Sequence, residues 1–308
     1  IDGPRMTAID TVPALPGNNV LPAIAAPVAA GAPVPGWSIR LGNRRRQKVE
    51  TVADGQAAVI RMTSGTPADE MRLLSPPIGV APGMTVVDTL PGKVWYSGIL
   101  ADYLGSDGEV IGADYDYAMW PLFTGFSTEE FLEKRKSWAA DWVTDSTGWA
   151  PSDGAKISAV TYGDVPEEVK GSVDVILMIR AFHHFNRFEE EGGYRTAALK
   201  AAMDMLKPGG VVGVVQHRAP ETSSDKWAEG DAGYVKQSAI IAAFKGAGFE
   251  FLGSTEINAN PADQPTEADV VWRLPPTLAT SRDNPELKAK MEAIGESDRM
   301  TLKFRKPE

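Results

Sequence analysis

The residues best suited to chemistry in this chain are its three histidines, which follow two predicted strands. His183 and His184 come shortly after the apolar run Val173–Ile179, and His217 follows the apolar run Val211–Gln216. If these runs are neighbouring parallel strands, their carboxyl ends bring all three imidazoles to one pocket. Histidine transfers protons at neutral pH, so the clustering predicts acid–base catalysis. Because neighbours on an extended segment point in opposite directions, we expect only one of His183 and His184 to face a substrate.

Two other interpretations of the histidines stay open. They could cap strand ends or bind backbone carbonyls, which is a purely structural role. A three-histidine metal site is disfavoured because adjacent ligands are awkward and no supporting carboxylate is evident, so no metal is predicted. The chain has no cysteine, which excludes disulfides, thiolate metal ligands and cysteine nucleophiles. It also lacks the Gly-x-Ser-x-Gly elbow of serine hydrolases and the Gly-x-x-x-x-Gly-Lys phosphate loop.

The segments that position these residues alternate between strands and helices. Short apolar runs predict seven core strands: Met84–Asp88, Glu109–Ala113, Ile157–Thr161, Val173–Ile179, Val211–Gln216, Phe249–Ile257 and Arg299–Arg305. Helical periodicity predicts three helices between them: Val94–Leu104, Tyr194–Leu206 and Tyr234–Gly246. A capping pattern predicts a further helix start at Thr66, and one or two short strands are expected within residues 40–61. The alternation predicts a Rossmann-like α/β fold, with a mainly parallel seven-stranded sheet and helices on both faces.

Domain boundaries follow from composition. Residues 1–36 are rich in proline, alanine and glycine without periodicity, which predicts an extended arm before one domain at 37–308. Two insertions interrupt the alternation, at about 115–155 and 258–298, and the first is rich in large aromatic residues. In open α/β sheets, ligands bind beyond the carboxyl ends of the strands, where such insertions form a lid. Whether the tryptophans form this lid or a satellite core is left open.

The net charge and the hydropathy of the chain limit the classes of partner that it can bind. The formal net charge of −10 argues against nucleic acid, because phosphate binding requires a concentrated basic surface. No apolar run approaches the roughly 20 residues that span a bilayer, and prolines interrupt the apolar stretch at 20–32, which argues against a signal peptide. We therefore expect a cytoplasmic protein, with the periplasm as the alternative, that binds a small-molecule substrate and no membrane. A homo-oligomer is left open.

A cofactor cradle is predicted where the first core strand meets the first helix. The strand Met84–Asp88 leads into the turn Pro91-Gly92, which opens a helix. Such a turn lets the backbone approach a ligand while the helix dipole faces it. One strand later, Asp114 stands at a strand end, where a carboxylate can hold a ribose diol.

Five motifs occur in order along residues 66–308: Val86-Val87-Asp88 with Pro91-Gly92, Gly112-Ala113-Asp114, Asp174-Val175-Ile176-Leu177, His183-His184-Phe185 and Leu206-Lys207-Pro208-Gly209-Gly210. In this order and spacing the chain resembles the class I S-adenosylmethionine (SAM) methyltransferases, and most closely a bacterial group of predicted methyltransferases. The resemblance implies the class I methyltransferase fold with SAM as cofactor. It implies that Asp88 and Gly92 contact the methionine part of SAM, that Asp114 holds the ribose, and that Asp164 lies near the adenine.

The cofactor loop departs from the family pattern. The usual loop has glycines where this chain has Leu90 and Val94, and Lys93 stands beside them. A β-branched valine adds bulk and restricts the turn where the backbone should approach the cofactor. Lys93 could pair with the carboxylate of SAM or occupy its space. Loss of SAM binding is therefore an open alternative.

Three functions remain compatible with these observations. The first is SAM-dependent methyl transfer to the hydroxyl of a small, aromatic acceptor, with a histidine as general base. The second is a SAM-independent lyase on the same fold, in which the histidines, Tyr96, Lys93 and the arginines drive a retro-aldol cleavage, for instance with release of formaldehyde from an aromatic compound. The third is a non-catalytic binding protein. The residues predicted to contact substrate are Trp95, Trp120, Arg180, Arg218 and Arg273.

Overall fold

The computed structural model describes residues 48–53, 58–63, 77–92 and 94–308. The predicted arm, the helix start at Thr66 and Lys93 lie outside the described residues. Strands β1 (Lys48–Ala53) and β2 (Ala58–Thr63) pair with each other in an antiparallel two-stranded sheet. The other strands belong to one large sheet: β3 (Thr85–Thr89), β4 (Glu109–Asp114), β5 (Lys156–Thr161), β6 (Val173–Ile179), β7 (Leu206–Ala219), β8 (Val235–Lys236), β9 (Glu250–Thr255) and β10 (Arg299–Arg305).

The large sheet has the order β5-β4-β3-β6-β7-β10-β9, and the short β8 pairs with the end of β7. Strands β5, β4, β3, β6 and β7 are parallel, and β10 runs antiparallel to both of its neighbours. The predicted Rossmann-like fold is therefore confirmed, with β8 as a strand that the sequence did not indicate. This order places β3 next to β6, so the loop after β3 and the turn after β6 meet at one edge of the sheet.

The helices cover both faces of the sheet. Those in the described residues are α1 (Trp95–Leu104), α2 (Glu129–Lys136), α3 (Trp138–Asp145), α4 (Phe182–Arg187), α5 (Glu189–Gly192), α6 (Tyr194–Met205), α7 (Gln237–Gly246) and α8 (Pro285–Ile294). None of the helices in the described part of the chain is both long and apolar enough to cross a membrane.

Side chains that alternate along the strands divide the core into two layers. On β3, Val86 packs with α1 and α3 on one face, whereas Val87 packs with α6 and α7 on the other. Both are completely buried. Because each strand is covered on both sides, its sequence is a continuous apolar run rather than an alternating one. This is why short runs of valine and isoleucine predict these strands.

The tryptophans of the first insertion pack in the core. Trp138, Trp142 and Trp149 contact one another and pack with α1. Trp120 instead packs against Phe123 in the other core cluster, beside the end of β4. These contacts correspond to the satellite-core alternative.

Candidate functional site

One cavity of about 280 Å³ brings together the three histidines, and we name it the histidine cavity. Ring centroids lie 3.9 Å apart for His183 and His184, and 5.9 Å apart for His183 and His217. Leu90, from the loop after β3, lines the same cavity, so that loop and the imidazoles share one space. The remaining lining residues come from the ends of β6 and β10 and from the second insertion: Ile179, Arg180, Val271, Trp272, Leu274, Pro275, Pro276, Thr277, Glu296, Ser297 and Arg299.

Gln216, a fully buried amide near the end of β7, sets the tautomer of His183. The amide nitrogen of Gln216 donates to the Gly233 carbonyl at 2.8 Å, and its oxygen accepts from the backbone N–H of His183 at 3.2 Å. A carbonyl only accepts and an N–H only donates, so these groups fix which end of the amide is oxygen. The same oxygen lies 3.2 Å from Nδ1 of His183, so Nδ1 carries the proton. Nε2 therefore holds a lone pair, and this buried atom has no hydrogen-bond partner among the described residues.

The other two imidazoles are bound at Nδ1 by hydroxyl groups. Tyr115 Oη lies 2.5 Å from Nδ1 of His184, and Ser297 Oγ lies 2.6 Å from Nδ1 of His217. Burial holds the pKa of the Tyr115 phenol well above its usual range, so the phenol keeps its proton. A hydroxyl that donates to Nδ1 leaves the proton of a neutral imidazole on Nε2. A hydroxyl can also accept from Nδ1–H, so of the three imidazoles it is His183 whose acceptor nitrogen the surrounding contacts fix.

Burial keeps the three imidazoles neutral. It lowers the pKa of His183 to about 4, although the hydrogen bond to Gln216 acts in the opposite direction. Burial likewise holds the pKa of His184 and of His217 well below the usual range, with a further contribution from His183. Arg180 lowers the pKa of both His183 and His217, so its guanidinium lies close to both rings. At neutral pH the cavity offers unprotonated imidazoles.

His183 and His184 lie in helix α4, not on an extended segment. The expectation that they point in opposite directions is wrong, because successive residues of a helix are only about 100° apart. Both line the histidine cavity. Arg180, two residues before α4, has a φ of 56°, which is the left-handed region that side chains disfavour. Such backbone conformations persist where the surrounding structure enforces them, and they cluster at functional sites.

Helix α4 is held in place by the loop at Glu229 and Gly230. Asn186 Nδ2 donates to the Glu229 carbonyl at 2.7 Å. At Gly230, with a φ of 120°, a Cβ atom would lie 2.2 Å from the carbonyl oxygen of His183. Only glycine allows this approach of the two backbones.

We expect Gly230→Ala to displace the backbone of His183 and to destabilise the fold by about 1–3 kcal/mol, as overpacking does. The measurement is the free energy of unfolding together with the NMR signals of the three imidazoles. Gly246→Ala is the matched control, because a Cβ at Gly246 meets nothing within 4 Å. Unchanged imidazole signals in Gly230→Ala would contradict this account of how α4 is positioned.

At the cofactor edge, the protein itself binds the carboxylate of Asp114. Oδ1 accepts from the backbone N–H of Tyr115 at 2.9 Å, and Oδ2 accepts from Arg135 at 3.0 Å and from the Trp120 indole at 3.3 Å. The guanidinium of Arg135 also stacks over the Trp120 ring, 4.1 Å from its centroid. Asp114 is only 2% exposed, and burial raises its pKa to about 6 even though Arg135 lowers it. Both carboxylate oxygens are thus occupied by α2 and its neighbours.

The other residues that the resemblance places around SAM lie apart from the histidine cavity. Asp88 is buried and accepts a hydrogen bond of 2.6 Å from Ser97, and burial raises its pKa to about 7. Asp164 is exposed in the turn that follows β5. Gly92 is exposed with a φ of 52°, and a Cβ there would meet only the Leu90 carbonyl, at 3.8 Å.

These observations decide how well this arrangement suits SAM. At the methionine end of the expected site, Gly92 is exposed. The ribose end is filled, because a ribose diol at Asp114 would have to displace Arg135 and Trp120. The residues present therefore do not fit SAM in this arrangement. Within the described residues, no group of three or more histidines and carboxylates is arranged to hold a metal ion.

Of the other residues predicted from sequence, only Arg180 lines the histidine cavity. Tyr96 and Trp95 pack against Val215 instead. Arg218 pairs with Asp298 and Glu256, and Arg273 is buried against Asp263 and Asp269, so both arginines join segments of the fold. Trp120 lies at Asp114, and Lys93 is outside the described residues.

Sequence reasoning missed the partners of the imidazoles. Gln216, Ser297 and Tyr115 bind the ring nitrogens, and Arg299 lies directly opposite His217 on the antiparallel pair of β10 and β7. The sequence gives one signal of these contacts: Gln216 is a polar residue at the end of the apolar run of β7, and a buried amide needs hydrogen-bond partners. The contact of Ser297 with His217 spans 80 positions and has no local signature.

Solved structures resemble this chain at low sequence identity. No protein-family model matches the chain, and no curated protein matches its sequence. Similar solved structures include the (4+2)-cyclase SpnF, which is 17% identical over 78% of this chain and 81% of its own, with a TM-score of 0.46. The 1,6-didemethyltoxoflavin-N1-methyltransferase of Burkholderia thailandensis is 11% identical over 74% of this chain and 72% of its own, with a TM-score of 0.41. A SAM-dependent methyltransferase from Aquifex aeolicus is 16% identical over 58% and 78%, with a TM-score of 0.38.

The strand order places one antiparallel strand, β10, between β7 and β9. The chain has a Rossmann-like, mainly parallel α/β fold. At the identities and TM-scores above, the likeness carries no conclusion about cofactor, substrate or reaction. Function has to be argued from the site.

The two departures from the glycine loop both stand in strained backbone. Leu90 and Val94 each have a φ of 56°, in the left-handed region that glycine adopts freely. For residues with a side chain, and above all for a β-branched one, this region costs about 1–2 kcal/mol. The loop therefore holds left-handed backbone at two positions that are not glycine.

We expect Val94→Gly to be more stable than Val94→Ala by about 1 kcal/mol, because both lose the valine side chain but only glycine relieves the left-handed strain. Chemical denaturation of the two variants measures this difference. A SAM titration of the same pair tests the obstruction by Val94. If Val94 hinders SAM, the glycine variant gains affinity; equal affinity in wild type and Val94→Gly would count against the obstruction.

Proposed function

We propose that this protein is an enzyme that performs acid–base chemistry on a small hydroxylated substrate in the histidine cavity, without SAM. The observation that carries the proposal is the bare Nε2 of His183, an acceptor fixed in its tautomer by Gln216 and placed in a cavity with two further imidazoles. A buried polar atom without a partner costs free energy, so its retention favours a ligand that supplies the missing proton.

The retro-aldol reaction of a β-hydroxy carbonyl compound, or of its aromatic equivalent, uses these groups directly. Nε2 of His183 takes the proton of the substrate hydroxyl, and the oxygen lone pair forms a carbonyl as the adjacent carbon–carbon bond breaks. In a β-hydroxy carbonyl compound the electron pair of that bond passes into the carbonyl group and forms an enolate. The imidazolium then returns its proton to the carbon of the enolate. In a hydroxymethyl phenolate the ring carbon is protonated first, which gives a cyclohexadienone, and the cleavage then returns the electron pair to the ring and restores the phenolate. The atoms and electrons balance without an oxidant or cofactor.

The low pKa of His183 is compatible with the role of a base in the occupied site. Burial and the charge of Arg180 both lower this pKa. An anionic substrate group beside Arg180 offsets that charge, and the pKa of His183 then rises toward the operating pH, where a general base is most effective.

Methyl transfer is the second candidate, and the exposure of Gly92, whose backbone a ligand can approach, favours it. In this reaction SAM would supply the methyl group, Asp88 and Gly92 would lie at its methionine part, and a histidine would take the proton of the acceptor hydroxyl. It requires Arg135 and Trp120 to leave Asp114, which makes it less well supported than the SAM-independent reaction.

Isothermal titration with SAM, combined with a turnover screen, distinguishes the two candidates. The screen uses aromatic compounds that carry a hydroxymethyl group, and it measures released aldehyde in one assay and methylated product, with SAM added, in the other. Aldehyde release without SAM, and no SAM binding, is the expected result. Micromolar SAM affinity with methylated product and no aldehyde would replace the first candidate by the second.

A further inference from the structure

We propose that the histidine cavity selects small aromatic acids: an apolar wall takes the ring, and Arg180 with Arg299 takes a carboxylate or phenolate. This inference rests on the proposed function for its catalytic consequence, but the binding that it describes requires no turnover.

The apolar wall is formed by one side of the cavity. Trp272, with its ring centroid 6.1 Å from that of His183, faces the imidazoles from the second insertion. The residues around it are apolar and cover the remaining side of the cavity: Leu90, Ile179, Val271, Leu274, Pro275 and Pro276. A purely polar ligand would leave this surface in contact with water, whereas a ring buries it. The volume of about 280 Å³ suits a compound of one ring with short substituents.

The cationic side comes from two strand ends. Arg299 of β10 lies opposite His217 of β7 in the antiparallel register, so the two side chains lie on the same face of the sheet as neighbours. Arg299 is only 4% exposed and pairs with Glu296, which also lines the cavity. Arg180 approaches from the end of β6.

The charged groups of the cavity lie on one side of it. Among its described lining residues are two guanidinium groups and one carboxylate, and the imidazoles add no charge because they are neutral. Both arginines line the cavity together with His217, and their positive charge lowers the pKa of that ring. A guanidinium binds planar carboxylates and phenolates through paired, charge-assisted hydrogen bonds.

The position of the arginines relative to His183 gives the acid group a second role. A substrate anion at Arg180 holds the hydroxyl-bearing part of the molecule near the bare Nε2 of His183, and the same cation stabilises the negative charge that develops when the carbon–carbon bond breaks. Recognition and catalysis then use one set of charges.

Titration with benzoate, benzamide and acetate tests the inference on the full chain. Benzamide keeps the ring and removes the charge, and acetate keeps the charge and removes the ring. We expect benzoate to bind at least about tenfold more tightly than either, and Arg180→Gln to lower the benzoate affinity by about tenfold or more while leaving the benzamide affinity unchanged. Arg180→Lys, which keeps the charge without the paired donors, should lie between.

Arg305→Gln is the matched control, because Arg305 lies on the same strand as Arg299 but pairs with Glu250 at the surface. It should bind benzoate like wild type. NMR titration of the three histidines gives an independent readout, in which benzoate raises the pKa of His183 and His217 and benzamide does not. Equal affinities for benzoate and benzamide, benzoate affinity unaffected by Arg180→Gln, or no benzoate binding at millimolar concentration would each overturn the inference. Benzoate binding in the absence of any turnover would support the inference about ligand selection and contradict the proposed reaction.

Discussion

Replacing His183 by asparagine is expected to lower turnover by about 10²–10⁴-fold while leaving the fold intact. The asparagine amide can donate to Gln216 as Nδ1 does, but it offers nothing in place of Nε2. The substitution therefore separates the acceptor nitrogen from the contacts that hold His183. Turnover is measured with the substrate that the aldehyde screen identifies, and circular dichroism and unfolding midpoints check the fold.

The pH dependence of the wild-type protein provides the control for this experiment. The pKa of His183 in the folded protein, about 4, lies below the usual 6.5. The value of kcat/KM, which reports the free enzyme, should therefore stay constant as pH falls through 6.5, and should be lost only as pH falls toward 4, where Nε2 becomes protonated. Full activity in His183→Asn, or loss of the wild-type kcat/KM centred near pH 6.5, would contradict the assignment. Long-range ¹⁵N spectra check the tautomer directly, since they distinguish Nδ1–H from Nε2–H.

Much of the fold was predictable because its information is local. The strands β3, β4 and β6 are buried on both faces, so each is a short apolar run bounded by turn residues. Their alternation with helices leaves few topologies, because parallel strands require crossovers. The gathering of the histidines was predictable for the same reason, since residues at the ends of neighbouring parallel strands must meet.

The roles of the site residues were less accessible, because they depend on contacts between distant segments. Asp114 stands at the strand end where the resemblance places a ribose. Nothing near Asp114 in the sequence reveals that Arg135, 21 positions later, binds its carboxylate. The tautomer of His183 likewise depends on Gln216, 33 positions away. The helical rather than extended conformation at His183 and His184 follows the turn at Arg180, whose left-handed backbone has no signature in a residue with a side chain.

The ends of the strands differ in what they offer a ligand. At the end of β4, where the resemblance places a ribose, Arg135 and Trp120 bind the carboxylate of Asp114. The open cavity lies instead at the ends of β6, β7 and β10, between the histidines and the second insertion. Because one fold hosts many functions, the function depends on the groups that line this cavity.

Replacing Arg135 by methionine is expected to lower the free energy of unfolding by about 3–5 kcal/mol at pH 8, because it leaves the carboxylate of Asp114 buried without its counter-ion. The pKa of Asp114 is already raised to about 6 with Arg135 present, and it rises further without it. A carboxyl group whose pKa is raised by folding destabilises the protein as pH rises, since the unfolded chain releases its proton first. The loss should therefore be large at pH 8 and small at pH 5, where Asp114 is protonated in the folded variant.

The double variant Arg135→Met/Asp114→Asn isolates the charge, because it removes both members of the pair, and it should recover most of the stability lost at pH 8. Lys134→Met is the matched control, because Lys134 neighbours Arg135 on α2 but forms an exposed pair with Glu130. The unfolding midpoint of this variant should equal that of wild type. Stability of Arg135→Met equal to wild type at pH 8 would mean that Arg135 does not hold Asp114. A SAM titration of Arg135→Met then tests the cofactor edge itself: affinity that appears only in this variant would identify Arg135 as the group that keeps the ribose position closed.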